Sequence, residues 1–188
     1  MDVIEHLLGR NSRAQLTDPA PSGETRRRIF QTALRAPDHA LLRPWQFILV
    51  EGEQRDKLGE VFRQAAVADD PTMSDSQQEK MLRNPRRAPL VVVAVCKFTE
   101  HPKVPKIEQV LSTGSAVQQM LLALESEGFG GMWRTGAMAY HPMVKEALGL
   151  TEQDDIVGFL YIGTPSGKAK VVQPLEVEDF FKAAQLPD

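Results

Sequence analysis

The 188-residue chain reads as one domain in which helices interleave with a few strands, an α+β or α/β pattern. Three segments carry that prediction. From Leu90 to Cys96 the chain is an unbroken run rich in valine, as expected of a strand buried on both faces. Residues 104–127 repeat apolar side chains at helical spacing, with Ile107, Leu111, Val117, Met120, Leu121 and Leu124 on the expected stripe. Residues 156–163 form a second β-rich run, closed by Pro165 and Gly167.

The remaining elements follow in order. Residues 2–8 suit a short amphipathic helix ended by Gly9, after which Arg10, Asn11 and Ser12 leave it as a polar turn. Pro19 and Pro21 mark a loop, and a helix from Ser22 or Gly23 to about Leu34 sets Ile29, Ala33 and Leu34 at helical spacing while Arg26, Arg27 and Arg28 mostly face water. A strand is expected over 46–50 and a helix over 53–67. Residues 68–84 read as a polar, mobile excursion holding one further short helix. Gly114, inside the long helix, predicts a close helix–helix approach. Residues 129–134 form a glycine-interrupted strand, and 141–148 a short helix begun by Pro142 and ended by Gly149. From Ala169 the chain becomes a tail with Phe180 and Phe181 that packs on something. No internal repeat is visible.

Composition excludes several classes. Hydrophobic residues make up 42% and charged residues 25%, as in soluble globular proteins. A net charge of −3 argues against non-specific nucleic-acid binding. No apolar run is long enough to span a membrane, and the first residues do not resemble a secretory signal, so the cytoplasm is the expected compartment. Cys96 is the single cysteine, which excludes an intrachain disulfide and a thiolate-rich metal site. The four histidines stand at no metal-ligand spacing, and no serine lies in a Gly-x-Ser-x-Gly elbow.

The stretch from Arg35 to Trp45 is the most informative. Two prolines and a tryptophan fix the backbone of a loop that also carries Arg35, Asp38, His39 and Arg43, a composition suited to a rigid ligand-binding rim. Arg10 and Ser12 offer a guanidinium and a hydroxyl suited to phosphate, although three such residues alone favour a solvated turn by roughly four to one. Lys168 and Lys170 follow the last strand and add cations. The segment from Gly128 to Gly136 is glycine-rich without being a dinucleotide fingerprint, because Trp133 replaces the third glycine and the glycines leave a helix rather than enter one. Those glycines end the helix and let a planar ligand or a neighbouring backbone approach the strand, with Trp133, Arg134 and Thr135 at its end.

Taken together, Arg10 to Ser12, Arg35 to His39 leading into Pro44 and Trp45, Gly128 to Gly136, and Ile156 to Pro165 resemble the nitroreductase superfamily of flavin mononucleotide (FMN) enzymes. Within it the chain is similar to the short YdjA-type NAD(P)H nitroreductases. The resemblance implies an α+β sandwich, a mostly antiparallel central sheet flanked by helices, and one domain over 1–188 whose tail, from about 169, packs on the partner subunit. It implies a homodimer with FMN at the interface and NAD(P)H as co-substrate, reducing a small acceptor such as a nitroaromatic or a quinone. Arg10, Asn11 and Ser12 would hold the FMN phosphate or ribityl chain. Arg35 and His39 would reach the flavin from the partner, Trp133, Arg134 and Thr135 would line it, and Lys168 would add a phosphate contact. Residues 123–128 lie where such enzymes contact the nicotinamide nucleotide. Arg35, Arg43 and Arg134 are the candidates for stabilising reduced flavin, and no residue is assigned a catalytic proton transfer. Leu41, Leu42 and Arg43 depart from the family pattern before Pro44. Flavin-dependent dehydrogenation or dehalogenation, or a non-catalytic flavin-binding dimer, stand as alternatives on the same fold.

Overall fold

The computed structural model describes residues 2–186. Its strands are β1 (Leu16–Thr17), β2 (Trp45–Glu51), β3 (Leu90–Cys96), β4 (Gly130–Arg134) and β5 (Asp155–Pro165). Its helices are α1 (Val3–Gly9), α2 (Gly23–Ala33), α3 (Gln54–Asp69), α4 (Asp75–Arg83), α5 (Lys106–Ser126), α6 (Ala137–Tyr140), α7 (Pro142–Ala147) and α8 (Val177–Phe180). Every described strand pair is antiparallel, which settles the fold as α+β. The eleven-residue β5 is the hub. One of its edges pairs with β3, which pairs in turn with β2, and its other edge carries β4 and then β1.

Period-2 alternation divides the core between two faces. Val91, Val93, Val95, Phe159 and Tyr161 point to one side, where Leu58 and Phe62 of α3 and Val144 of α7 close over them. Leu90, Val92, Ala94, Leu160 and Ile162 point to the other, against α2 and α5. The β3–β5 register skips between Ala94, which faces Gly158, and Val95, which faces Ile156. This bulge leaves the Val157 carbonyl free of the ladder, and the Trp133 indole Nε1 donates to it at 3.2 Å. Gly158 is required there, because a side-chain carbon would overlap the Trp133 ring.

Residues 68–84 are better ordered than their composition implied. Helix α3 runs on to Asp69, and α4 starts with a full capping box between Ser74 and Gln77. The α4 backbone then packs so closely on α3 that a Cβ at Gly59 would overlap the Leu82 carbonyl. A helical hairpin replaces the expected mobile excursion, although its short helix was expected. Two further expectations for α5 need correction. Ile107 and Leu111 do not join the buried stripe but are 61% and 62% exposed, while Gln109, Ser112 and Thr113 are buried in their place. Gly114 meets the Trp133 ring rather than another helix. The tail touches its own chain little, and Phe180 and Phe181 are exposed.

Candidate active site

Helix α5 organises the candidate residues. With 100° between successive residues, Glu108, Ser112 and Gln119 fall on one stripe, and Leu121 and Glu125 fall about 200–240° away. The first stripe holds the loop of Arg35 and His39. Gln119 Nε2 donates to the Arg35 carbonyl at 3.3 Å, the Ser112 hydroxyl donates to the Pro37 carbonyl at 2.6 Å, and the Glu108 carboxylate meets His39 Nδ1 at 2.7 Å. The Trp45 indole donates to the same Ser112 oxygen at 2.9 Å, so one hydroxyl ties both ends of the loop.

These ties are needed, because the loop is bent into unfavourable backbone. Ala40, Leu41 and Arg43 have φ of 61°, 55° and 50°, the left-handed region that costs a residue with a side chain about 1–2 kcal/mol. Such geometry persists only where the surroundings over-determine it, and Asp38 adds a further clasp by accepting the Arg43 N–H at 2.8 Å. Arg35, Asp38, Leu41, Arg43 and Trp45 border a cavity of 490 Å³.

The second group gathers around the start of β4. The Arg13 N–H donates to the Gly131 carbonyl at 3.0 Å, drawing the segment after α1 alongside the strand. Arg10, Asn11, Arg13, Leu121, Glu125 and Gly131 are among the residues that border a cavity of 160 Å³. Ser12, Arg13, Gln15, Ser166, Lys168 and Lys170 are among those bordering a neighbouring one of 190 Å³. Arg10 Nη1 lies 3.4 Å from Ser12 Oγ, and the Asn11 side-chain amide donates to the Lys170 carbonyl. Among the described residues, none of the four cations Arg10, Arg13, Lys168 and Lys170 has a carboxylate oxygen within 4.0 Å. These four cations, none held in an ion pair, stand beside neutral donors from Asn11, Ser12 and Ser166 and could hold an anion such as a phosphate, with the Glu125 carboxylate on the same rim offsetting one of the charges.

Of the roles expected of the glycines in this segment, they end the helix and admit a neighbouring stretch of backbone, that of Arg13. Gly128, with φ of +80°, ends the long helix as anticipated. The space beside Gly130 and Gly131 is filled by the chain's own Arg13, Leu16, Leu121 and Leu124 rather than left open to a flat ligand. Trp133 lies half-buried on the α5 side, against Gly114. Arg134 points to the opposite face of the sheet, its guanidinium carbon 5.7 Å from the centre of the Tyr161 ring. Burial pushes the Tyr161 phenol up from its ordinary value, against the opposing charges of Arg134 and Arg87. Thr135 is exposed at the strand end. The structure therefore brings Arg10, Asn11, Ser12 and Lys168 together, with Trp133 farther along β4. It keeps Arg35 and His39 together on the other flank of α5 and separates Arg134 from both groups. Sequence reasoning missed Arg13, Glu108, Ser112 and Gln119. The last three share one helical stripe, a signal visible in their spacing of four and seven.

The sequence model of the Nitroreductase family matches residues 7–164 of the chain. The chain belongs to the nitroreductase family. As a nitroreductase-family oxidoreductase it is 46% identical over 169 residues to an Escherichia coli (strain K12) protein named "Putative NAD(P)H nitroreductase YdjA", covering 90% of this chain and 91% of that one. Its fold superposes on a nitroreductase-like family protein from Bacillus cereus with a TM-score of 0.82 at 22% identity, covering 98% and 96% of the two chains. It also superposes on the FMN and NADPH-dependent nitroreductase NfnB of Sphigopyxis sp. strain HMH with a TM-score of 0.78 at 19% identity, covering 99% and 100%. No cluster of three metal-ligating side chains occurs among the described residues, and burial pushes the Cys96 thiol up, away from its reactive form. No described helix is long and apolar enough to cross a membrane.

Proposed function

We propose that two copies of this chain bind FMN between them and pass hydride from NAD(P)H to a small acceptor such as a nitroaromatic or a quinone. The observation that carries this reading is the arrangement about α5. Two polar groups of the kind that hold a flavin nucleotide border separate cavities on different flanks of one helix, and exposed Ile107 and Leu111 occupy the outward face of that helix. A ligand touching both groups is enclosed when a second copy covers that face. Exposed Leu7 and Leu8 of α1, and Phe180 and Phe181 of the tail, add apolar surface of the kind such an interface buries.

Arg10, Arg13 and Lys168, with Asn11 and Ser12, would hold the phosphate end of the nucleotide, and the cradle suits a dianion because its cations outnumber the one carboxylate on the rim, Glu125. Trp133 would pack near the ring. When bound, the flavin supplies the hydride chemistry itself, and the protein contributes placement and charge. Arg35 and Arg43, which share a cavity, would stabilise negative charge on the reduced ring from the other subunit. Arg134 is the poorer candidate for that role, because it faces Tyr161 across the sheet. The Escherichia coli relative is named an NAD(P)H nitroreductase and NfnB is FMN and NADPH-dependent, which together with the motif resemblance supports NAD(P)H as donor and FMN as cofactor.

Titration of the purified protein with FMN tests the reading. Stoichiometric uptake is expected, followed by bleaching of the flavin absorbance when NADH or NADPH is added without air. Protein that takes up no FMN contradicts the reading, and bound FMN that neither nicotinamide reduces contradicts its donor.

A further inference from the structure

His39 is half-exposed in the single chain, yet its ring is not free. Nδ1 meets the Glu108 carboxylate at 2.7 Å, with side-chain exposures of 55% and 43%. An exposed ion pair of this kind ordinarily contributes little to stability. This one differs in its setting. Residue 39 opens the turn that places Ala40, Leu41 and Arg43 in left-handed backbone, and Glu108 lies on the same α5 stripe as Ser112 and Gln119, which clasp that loop. Among the described residues, His39 Nε2 has no hydrogen-bond partner, and it lies on the side of the ring away from Glu108. An ionised carboxylate can only accept, so a neutral imidazole beside it must carry its proton on Nδ1 and keep a lone pair on Nε2.

We propose that Glu108 is the positioning residue of His39, holding the neutral ring in its Nδ1–H form so that Nε2 presents an acceptor to an N–H or O–H group of the flavin nucleotide. This rests on the FMN reading above and adds to it the polarity of one contact. Free neutral histidine favours the proton on Nε2, so loss of Glu108 reverses the face that His39 offers: a donor replaces the acceptor. Coverage of the pair by a second subunit strengthens its effect, because removing water raises the weight of each hydrogen bond.

The test compares wild-type protein with Glu108→Ala and Glu108→Gln. Two readouts are taken: the tautomer of His39 from imidazole nitrogen NMR shifts without FMN, above the pH at which histidine is protonated, and the FMN dissociation constant. Wild-type protein should show Nδ1–H. Glu108→Ala should move the ring toward Nε2–H and weaken FMN binding about tenfold. Glu108→Gln, which keeps an acceptor oxygen, should retain the wild-type tautomer and bind FMN within about threefold of wild type. An unchanged tautomer in Glu108→Ala overturns the proposal, and so does a changed tautomer with unchanged FMN affinity. Wild-type protein that binds no FMN fails a different claim, the functional reading itself, and removes the role toward flavin whatever the ring does.

Discussion

The two faces of the sheet are built to different standards of closure. On the α3 side the core is finished within one chain: Phe62 packs edge-on against Phe159, ring centres 5.3 Å apart, under Leu58, Ala65 and Val144. On the α5 side the layer next to the sheet is equally dry, with Val117, Met120 and Leu124 almost fully buried. One turn farther out the logic reverses. Ser112 and Gln119 face inward on the loop while Ile107 and Leu111 face water. A helix that buries polar groups and exposes apolar ones is mispatterned for a lone chain and correctly patterned for a subunit. If two copies enclose a flavin as proposed, the difference teaches that the α3 side serves the fold alone while the α5 side serves assembly and ligand as well.

Substitutions on each side sharpen or break that contrast. The largest effect is expected from Ile107→Asp combined with Leu111→Asp. If a second copy covers this face, two carboxylates are desolvated without partners, and association weakens by about 5 kcal/mol or more. Sedimentation should show monomers of near wild-type secondary structure, and an unchanged dimer would break the comparison. Phe62→Ala, on the finished side, should cost about 3–5 kcal/mol of folding stability by denaturant titration. It should leave subunit association intact under native conditions.

Asp154 gives an intermediate effect with a definite pH dependence. Burial would raise its pKa, but the Lys97 ammonium and the N–H and hydroxyl of Thr151 outweigh that and hold the carboxyl below its ordinary value. A lowered folded-state pKa means stability that is present above the unfolded carboxylate value of about 4 and is lost as pH falls through the folded one. Asp154→Asn should therefore destabilise by about 2 kcal/mol at pH 7, and its deficit should shrink on acidification below about pH 4 in thermal melts. The smallest effect is expected from Arg26→Ala. Its partly exposed pair with Glu51, 2.9 Å at the shorter contact, should contribute about 0.5–1 kcal/mol to thermal stability.

Much of this architecture was legible in the letters. The run from Leu90 to Cys96 gave a buried central strand because nothing in it tolerates water, and Pro142 and Gly149 punctuated α7. Other features were not, for physical reasons. Residues 68–84 are polar because α4 only half-buries one side and buries no residue fully, so composition resembled a mobile loop while the capping pair Ser74 and Gln77 went unread. The two-residue β1 is too short to show periodicity and exists through pairing with β5. At the site, Arg10 to Ser12 and Lys168 stand far apart in sequence, and their gathering was carried by the motif resemblance rather than by the residues alone. Which way Arg134 points depends on strand alternation from Trp133, whose own side is fixed by the bulge at Val157.

Mixing two defective subunits tests most directly whether Arg10 and Arg35 serve one flavin from different chains. Arg10→Ala and Arg35→Ala proteins, each unable to bind FMN tightly, are combined and allowed to exchange partners, and tight FMN sites are counted. Hybrids with a split site keep one intact site of two, so random exchange should restore about a quarter of the wild-type sites. A mixture that binds no more FMN than its parents would contradict the account.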